Sequence, residues 1–505
     1  MHFDRRDFVK SLSAAVAAPA LAGAMPGGPG GAPGRAGEQA SAAAPSPKRP
    51  GRPNVILMIC DDLGYGDPGC YGSRIPTPNL DRMAAEGMRF THYNSAHPIC
   101  SASRAALLTG RYAQRSGTEG AYFPHAPTGT ALDEQLLSNL FKDRGYKTAC
   151  VGKWHLGDGP AYLPTSRGFD SYYGVPYSDD MKPLPLMRGV EILEPDADRD
   201  ELTPLYTREA VKFIEESAGE AFFCYLAFSY PHDPARASSR FKGRSGFGDY
   251  GDSVMEIDWS VGEVMAAVER AGIGADTLIL FTSDHGPWYQ GSAGLLRGRK
   301  ASTFEGGFRV PFLARWSGTV EAGKVADAWT SSLDVLPSLV SLCGLEQPRK
   351  PLDGIDVAAT LRGAGAVVDD RPRLYFSPMG GGTNVHCLRK GDWKLRVAQG
   401  QGGEIYTNDA TTFAKKSAWL AHAELYNLAV DAEESYDVAK QHGEKVRELM
   451  ADLEAEMQTM PDAVRASYAA LKEDVGDVAT PPGAAVRPVR KGPLPDWAWE
   501  PDDRR

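Results

Sequence analysis

The feature that most constrains the fold is a series of short apolar segments, each bounded by turn residues and separated by helical patterns. Four such segments are Asn54–Cys60, Lys147–Gly152, Phe222–Ser229 and Thr277–Thr282. Strands that are buried on both faces of a parallel sheet have this composition. Amphipathic spacing predicts helices between them, over residues 79–88, 133–144, 207–217 and 253–272. The alternation of strand and helix predicts a doubly wound α/β core.

A smaller α+β subdomain is expected to follow this core. Strand-like segments lie at 374–377 and 393–397, and a helical pattern covers 444–457. We therefore place the main domain at residues 54–370 and a C-terminal subdomain with its tail at 371–505. The tail from Thr480 onward is rich in proline and charge, which predicts extended chain.

The first 53 residues are predicted to be a targeting signal followed by a flexible linker. Residues 1–24 contain Arg5 and Arg6, then an alanine-rich apolar stretch and the small-residue pattern Ala22-Gly23-Ala24. This resembles a bacterial twin-arginine signal peptide, which implies export and a periplasmic or secreted protein. Residues 25–53 are rich in glycine and proline and predict a flexible linker.

Composition excludes several classes of protein. Lys+Arg number 55 and Asp+Glu 65 in 505 residues, a net charge of -10. Proteins that bind nucleic acid over a broad face usually carry the opposite sign, so we expect no nucleic-acid partner. The sequence contains no apolar run of spanning length, so we expect no membrane span. Seven cysteines are too few for a disulfide scaffold, and no pairing is assigned.

Acidic residues follow two of the apolar segments directly. Asp61-Asp62 comes after the first, and Asp284-His285 comes one residue after the fourth. Ligands of open α/β sheets bind at the carboxyl ends of strands, and oxygen ligands suit Ca²⁺ or Mg²⁺. The pattern therefore favours a cation site, although Asp-Asp-Leu-Gly is also a good turn sequence.

A cysteine is expected at the start of a helix that ends near Gly110. Cys100 precedes an apolar pattern of alanine and leucine, and a helix N-terminus favours an anion and lowers the pKa of a thiol. The local pattern Cys-x-Ala-x-Arg, ending at Arg104, resembles the sulfatase signature, with Ala102 where proline is usual. The alternative interpretation is a generic reactive cysteine.

The resemblance to sulfatases extends over about residues 54–436. Its closest branch is that of arylsulfatase A and N-acetylgalactosamine-6-sulfatase. The matching stretches are Gly152–Gly157, Tyr162–Tyr173, Tyr177–Met181, Tyr230–His232, Leu296–Pro311 and Glu424–Tyr436. The resemblance implies an alkaline-phosphatase-like core with a smaller C-terminal domain.

It also implies a set of roles. One Ca²⁺, or alternatively Mg²⁺, would lie among Asp61, Asp62, Asp284, His285 and Cys100, and a dedicated maturation enzyme would oxidise Cys100 to formylglycine (3-oxoalanine). The hydrated aldehyde would attack sulfur and release the alcohol, and its second hydroxyl would then expel sulfate. The remaining roles would fall to Arg104 (orienting the formylglycine and metal), Lys153, Lys300 and Ser178 (sulfate contacts), His155 (base) and His232 (general acid).

Two other functions stay open from the sequence. A phosphate or phosphonate monoester hydrolase of the same superfamily would share the fold and could share formylglycine. A non-catalytic binding protein is opposed by the intact set of matching side chains. The implied partner is a sulfated small molecule or carbohydrate, and the sequence does not name the alcohol.

Overall fold

A ten-stranded mixed sheet forms the centre of the main domain. The computed structural model describes residues 52–363, 365, 367, 369–378, 382–400 and 417–474. The sheet has the strand order β11-β2-β10-β9-β1-β8-β4-β5-β6-β7. Its strands are β1 (Asn54–Cys60), β2 (Met88–Phe90), β4 (Lys147–Gly152), β5 (Ser171–Gly174), β6 (Leu186–Arg188), β7 (Glu191–Glu194), β8 (Phe222–Ala227), β9 (Thr277–Ser283), β10 (Phe312–Arg315) and β11 (Lys324–Ala326). A short parallel pair, β3 (Tyr93–Asn94) and β12 (Thr330–Ser331), lies apart from it.

Helices cover both faces of this sheet, so the core is doubly wound as predicted. One face carries α2 (Cys100–Thr109), α3 (Leu137–Asp143) and α7 (Val335–Cys343); the other carries α1 (Pro78–Glu86), α4 (Leu202–Ser217) and α5 (Gly248–Arg270). Alternate residues of β1 enter the two cores: Leu57 packs on the first face and Met58 on the second. This follows from the two-residue period of a strand.

A separate antiparallel sheet forms the C-terminal subdomain, also as predicted. Its strands are β13 (Arg373–Ser377), β14 (Asn384–Lys390), β15 (Trp393–Gly400) and β16 (Ser417–Asn427), in that order. The helices α9 (Gly443–Gln458) and α10 (Asp462–Glu473) pack on it through Leu449, Leu453 and Tyr468. Two short helices, α6 (Glu305–Phe308) and α8 (Ala358–Leu361), belong to the main domain.

Most predicted elements are found, with shifted ends. The strands β1 and β4 have the predicted bounds, whereas the predicted helix over 133–144 begins only at Leu137. The reason is local: Asn139 Oδ1 accepts a hydrogen bond from the Leu136 backbone N–H at 2.9 Å, which closes the first turn there. Helix α4 begins five residues before the predicted start, with Pro204 in its first turn, where a missing N–H is tolerated.

Three sequence predictions concern residues that are not described. The signal peptide, nearly all of the linker and the tail from Thr480 lie outside the described residues. Among the described helices, none is both long and apolar enough to cross a membrane.

Candidate active site

The ends of β1 and β9 bring the predicted carboxylates together. The two strands are parallel neighbours, with Cys60 paired to Ser283. The Asp62 backbone N–H donates to Asp284 Oδ1 at 3.2 Å, and Asp284 N–H donates to the Cys60 carbonyl at 3.1 Å. Asp62 adopts a φ of 67°, which is uncommon for a residue with a side chain and often occurs at functional sites.

Cys100 is the first residue of α2, and its side chain points at this edge. Its Sγ lies 3.3 Å from His285 Nε2, and His285 Nδ1 lies 3.0 Å from the Gly286 carbonyl. The prediction that the helix N-terminus lowers the thiol pKa is wrong. Burial raises the pKa of Cys100 well above its usual value, in spite of the nearby Lys153 and Lys300. The unmodified thiol is therefore a poor nucleophile at neutral pH.

Two buried lysines face the carboxylates. Lys153, directly after β4, pairs with Asp61 and donates to Ser178 Oγ at 3.1 Å. Lys300 Nζ, from the loop between β9 and α6, lies 2.8 Å from Asp62 Oδ1 and 2.9 Å from Oδ2. Burial opposes the charge of both lysines, but Asp61 and Asp62 respectively raise their pKa above the usual value. Both ammonium groups are thus charged, which suits an oxyanion site.

Arg104 fixes the positions of the Asp61 and Asp284 carboxylates. This fully buried side chain lies one turn into α2, and its Nε and Nη2 contact Asp284 Oδ2 at 3.1 and 3.0 Å. Its Nη2 is also 3.7 Å from Asp61 Oδ1, and its Nη1 donates to the Lys153 carbonyl at 3.2 Å. The arginine therefore links the ends of β1, β4 and β9 in one arrangement.

His155 has one ring nitrogen in use and one free. Its Nε2 lies 2.9 Å from the Tyr122 carbonyl, which can only accept, so Nε2 carries the hydrogen. Its Nδ1 is buried and has no hydrogen-bond partner among the described residues. Burial and the charge of Lys153 hold the pKa of His155 well below its usual value. A neutral imidazole with an open lone pair can act as a base.

His232 forms a pair with an acid that the sequence analysis did not single out. Its Nδ1 lies 3.3 Å from Asp179 Oδ1, and its Nε2 lies 3.8 Å from Asp62 Oδ2. Burial and the charge of Lys300 hold the pKa of His232 well below its usual value, while burial raises the pKa of Asp179. Both shifts favour the uncharged forms of the imidazole and the carboxyl group.

The donor set at the strand ends suits a hard divalent cation. Ligand atoms of Asp61, Asp62, Cys100 and His285 all lie within 4.8 Å of one another, and all four residues are buried. Asp61 Oδ1 is buried without a hydrogen-bond partner among the described residues. Burial opposes ionisation of Asp61, but Lys153 holds its pKa well below the usual value, so the carboxylate is charged. The buried carboxylate oxygens fit Ca²⁺ or Mg²⁺, whereas the imidazole of His285 is a ligand more typical of transition metals.

The structure brings the predicted site residues to one edge of the sheet, although Asp284 is not among the four whose ligand atoms lie within 4.8 Å of one another, and it adds two groups. The added groups are Asp179 and the Tyr122 carbonyl, which orient His232 and His155. Asp179 adjoins Ser178 in a stretch that the sequence analysis had already matched, so the signal was present. The Tyr122 contribution is a backbone atom and carries no residue-type signal.

Comparison with known proteins agrees with this geometry. The family model described as Sulfatase matches residues 53–345. Human arylsulfatase A is 37% identical over 429 residues, which cover 76% of this chain and 83% of that protein. The N-acetylgalactosamine-6-sulfatase of Rattus norvegicus is 40% identical over 392 residues, covering 71% and 72%.

Solved structures resemble the fold over most of its length. The PsFucS1 sulfatase from Pseudoalteromonas sp. gives a TM-score of 0.73 at 28% identity and covers 83% of this chain and 91% of that one. Ps i-CgsB in complex with k-i-k-neocarrahexaose gives 0.69 at 30% identity, covering 80% and 92%. The predicted alkaline-phosphatase-like fold is confirmed.

Proposed function

This chain belongs to the sulfatase family and hydrolyses sulfate esters, and we propose that it does so through a formylglycine at position 100 beside a bound divalent cation. The observation that carries the proposal is the convergence of Cys100 with a carboxylate–imidazole cluster and two buried lysines in one place. The alternative, a phosphate or phosphonate monoesterase, is not favoured by the comparisons.

Two groups supply chemistry that the unmodified side chains lack. A cation held by Asp61, Asp62, Asp284 and His285 would act as a Lewis acid and make a hydroxyl nucleophilic at neutral pH. A hydrated aldehyde at position 100 would supply one hydroxyl for attack on sulfur and a second whose loss of a proton would restore the C=O bond and release sulfate. The raised pKa of the Cys100 thiol supports a need for such a conversion.

The side chains around the pocket then bind and orient the ester. Lys153 and Lys300 are charged and buried, so they hold the anionic sulfate oxygens away from water. Ser178, 3.1 Å from Lys153 Nζ, can donate its hydroxyl hydrogen to the same anion. Arg104 keeps Asp61 and Asp284 in place while substrate enters.

Proton transfer falls to the two histidines. His232 receives the proton held on Asp179 and delivers it from Nε2 to the departing alcohol oxygen. His155 accepts a proton at its free Nδ1 as sulfate is expelled. The two side chains follow β8 and β4, two adjacent strands of the sheet.

We assign the substrate to the class of carbohydrate or aryl sulfates. Support comes from N-acetylgalactosamine-6-sulfatase and arylsulfatase A among the relatives, and from the hexaose bound to Ps i-CgsB. The test is an assay of sulfate and phosphate esters of the same alcohols, alongside a screen of sulfated mono- and oligosaccharides. Faster turnover of the phosphate esters would reject the proposal.

The identity of the ion needs a separate experiment. Protein that has been treated with a chelator is titrated with Ca²⁺ and with Mg²⁺, and the ion that restores activity is identified.

We also propose that the protein is exported by the twin-arginine pathway to the periplasm or beyond. The paired Arg5 and Arg6 before an alanine-rich stretch support this. Because that pathway carries folded proteins, the maturation enzyme would have to act on Cys100 before export. Replacing both arginines by lysine should trap precursor inside the cell, and unchanged export of that variant would refute the assignment.

A further inference from the structure

One of the two sulfate-facing lysines comes from a loop rather than from a strand end. Lys300 lies in the segment 297–308, which is called here the Lys300 loop. Lys300 N–H donates to the Pro287 carbonyl at 3.0 Å, and Ala301 N–H donates to the Pro98 carbonyl at 2.9 Å. Ala301 has a φ of 66°, in the left-handed region. A loop in such a conformation needs support from its surroundings to keep its shape.

That support comes from a buried ionic cluster at the far end of the loop. The loop anchor consists of Glu305, Arg309, Arg389, Lys394 and Glu434, each at most 4% exposed. Lys394 Nζ, on β15, lies 3.2 Å from Glu305 Oε1 and 2.9 Å from Glu434 Oε1. The Arg309 and Arg389 guanidinium groups contact the other oxygen of Glu305 at 2.9 and 3.3 Å.

Glu434 holds the loop backbone directly. It follows β16, in the C-terminal subdomain, and its Oε2 accepts the Glu305 N–H at 2.5 Å. Its own carbonyl accepts from Arg297 Nη1 at 3.0 Å, so one residue contacts both ends of the Lys300 loop. Glu434 is fully buried and has a φ of 53°, one of five described residues other than glycine with a positive φ.

Stability alone is a weak reason for this arrangement. A buried ion pair rarely stabilises a fold more than apolar side chains of similar volume would, because desolvating the charges is costly. A left-handed conformation at a glutamate adds a further cost. Both costs are concentrated where the C-terminal subdomain meets the loop that carries Lys300.

We propose that Glu434 and Lys394 are positioning residues that set the sulfate affinity of the active site by fixing the Lys300 loop. The C-terminal subdomain thus takes part in anion binding through the loop. This inference rests on the proposed function in one respect, namely that Lys300 contacts the sulfate group.

The test compares Glu434→Gln with the wild-type protein. The substituted amide keeps the shape and an acceptor for Glu305 N–H but loses the charge that pairs with Lys394. We expect the dissociation constant of inorganic sulfate, measured by titration calorimetry, to rise about tenfold, less than the roughly 10²-fold that a 1 Å misplacement can cost. KM for a nitrophenyl sulfate should rise similarly with kcat little changed, because the lysine binds substrate and transition state alike.

A double-variant cycle separates positioning from a general loss of stability. In a Lys300→Ala background, Glu434→Gln should not weaken sulfate binding further. The matched control is Arg373→Met, which removes another buried arginine joining the C-terminal sheet to the core, 2.9 Å from Asp334. That control should lower the melting temperature without changing the sulfate dissociation constant. Unchanged sulfate binding in folded Glu434→Gln, or a full further loss in the Lys300→Ala background, would overturn the inference.

A milder variant covers the case in which Glu434→Gln does not fold. Arg297→Ala removes an exposed side chain that contacts the Glu434 carbonyl and stacks 3.9 Å from the Phe304 ring. It should weaken sulfate binding by about threefold, again only when Lys300 is present. Wild-type protein that binds sulfate but cleaves no sulfate ester would contradict the proposed function alone. Active wild type with unchanged affinity in Arg297→Ala would contradict the positioning inference alone.

Discussion

The two sides of the active site hold their buried polar groups in different ways. On the nucleophile side, at the ends of β1 and β9, carboxylates and cations face one another in ion pairs. On the acid–base side, at the ends of β4 and β8, both imidazoles are held neutral and have buried nitrogens without full hydrogen-bond partners among the described residues. The first side is electrostatically set before substrate arrives. On the second side, ring nitrogens still lack hydrogen-bond partners among the described residues, and a bound substrate would supply them.

This difference assigns the two sides to different parts of the reaction. Fixed charges stabilise an anion whatever alcohol it carries, so the nucleophile side should matter equally for every ester. Proton donors matter in proportion to how poor the leaving group is. Leaving-group dependence therefore tells the two sides apart.

The largest effect is expected on the nucleophile side. Cys100→Ala removes the side chain from which the aldehyde would form, and turnover should fall by at least about 10³-fold for every ester, as when a nucleophile is deleted. The fold should persist, because alanine fits a site that already holds a small buried side chain. Rates on sugar and nitrophenyl sulfates, with circular dichroism, provide the measurement.

Mass spectrometry of the active wild-type protein is the matching control. The peptide that contains Cys100 should be about 18 Da lighter than its sequence mass when the thiol has become an aldehyde. If that aldehyde is hydrated, the peptide would have the same mass as the unmodified thiol peptide. Alkylation with a thiol reagent distinguishes these two species, because only the thiol reacts. A fully active preparation in which Cys100 still alkylates would rule out the nucleophile-side mechanism.

The acid–base side should respond selectively. His232→Ala should lower kcat on sugar sulfates by about 10²–10⁴-fold and largely spare a nitrophenyl sulfate, whose alcohol leaves without help. His155→Ala should slow both substrates alike, because its proton transfer follows departure of the alcohol. The exposed His422→Ala, on β16, is the control and should match wild type. Equal losses on both substrates for His232→Ala would show that the two histidine roles are misassigned.

The sequence predicts this site at the carboxyl ends of the buried strands. Buried strands have a residue-level pattern, and the parallel pairing of β1 with β9 brings Asp61 and Asp284 together without knowledge of side-chain geometry. Lys153 and His155 come directly after β4, but their roles came from the resemblance. The resemblance also supplied Lys300, which no strand end predicts because it lies in a loop.

Contacts between distant segments have no such local pattern. The Cys100 pKa depends on burial, and burial depends on how α2 packs against loops far along the chain. The partner of His232 is Asp179, and the hydrogen on His155 Nε2 is fixed by the Tyr122 carbonyl. The register shift between β15 and β16, near Arg396, also lacks a local signal.

Among the variants that compare the two sides, Asp179→Asn should have the smallest effect, and it tests whether Asp179 and His232 supply the proton together. Asparagine keeps the size and can still donate to His232 Nδ1, but it cannot give up a proton. Asp179→Asn should therefore lower kcat on sugar sulfates by about tenfold and change nitrophenyl sulfate turnover by less than about twofold. Asp143→Asn, at the exposed last residue of α3, is the control and should match wild type on both substrates. If kcat instead fell equally on both esters, Asp179 would support sulfate binding, as the fixed charges do. The two sides of the site would then not differ in their dependence on the leaving group.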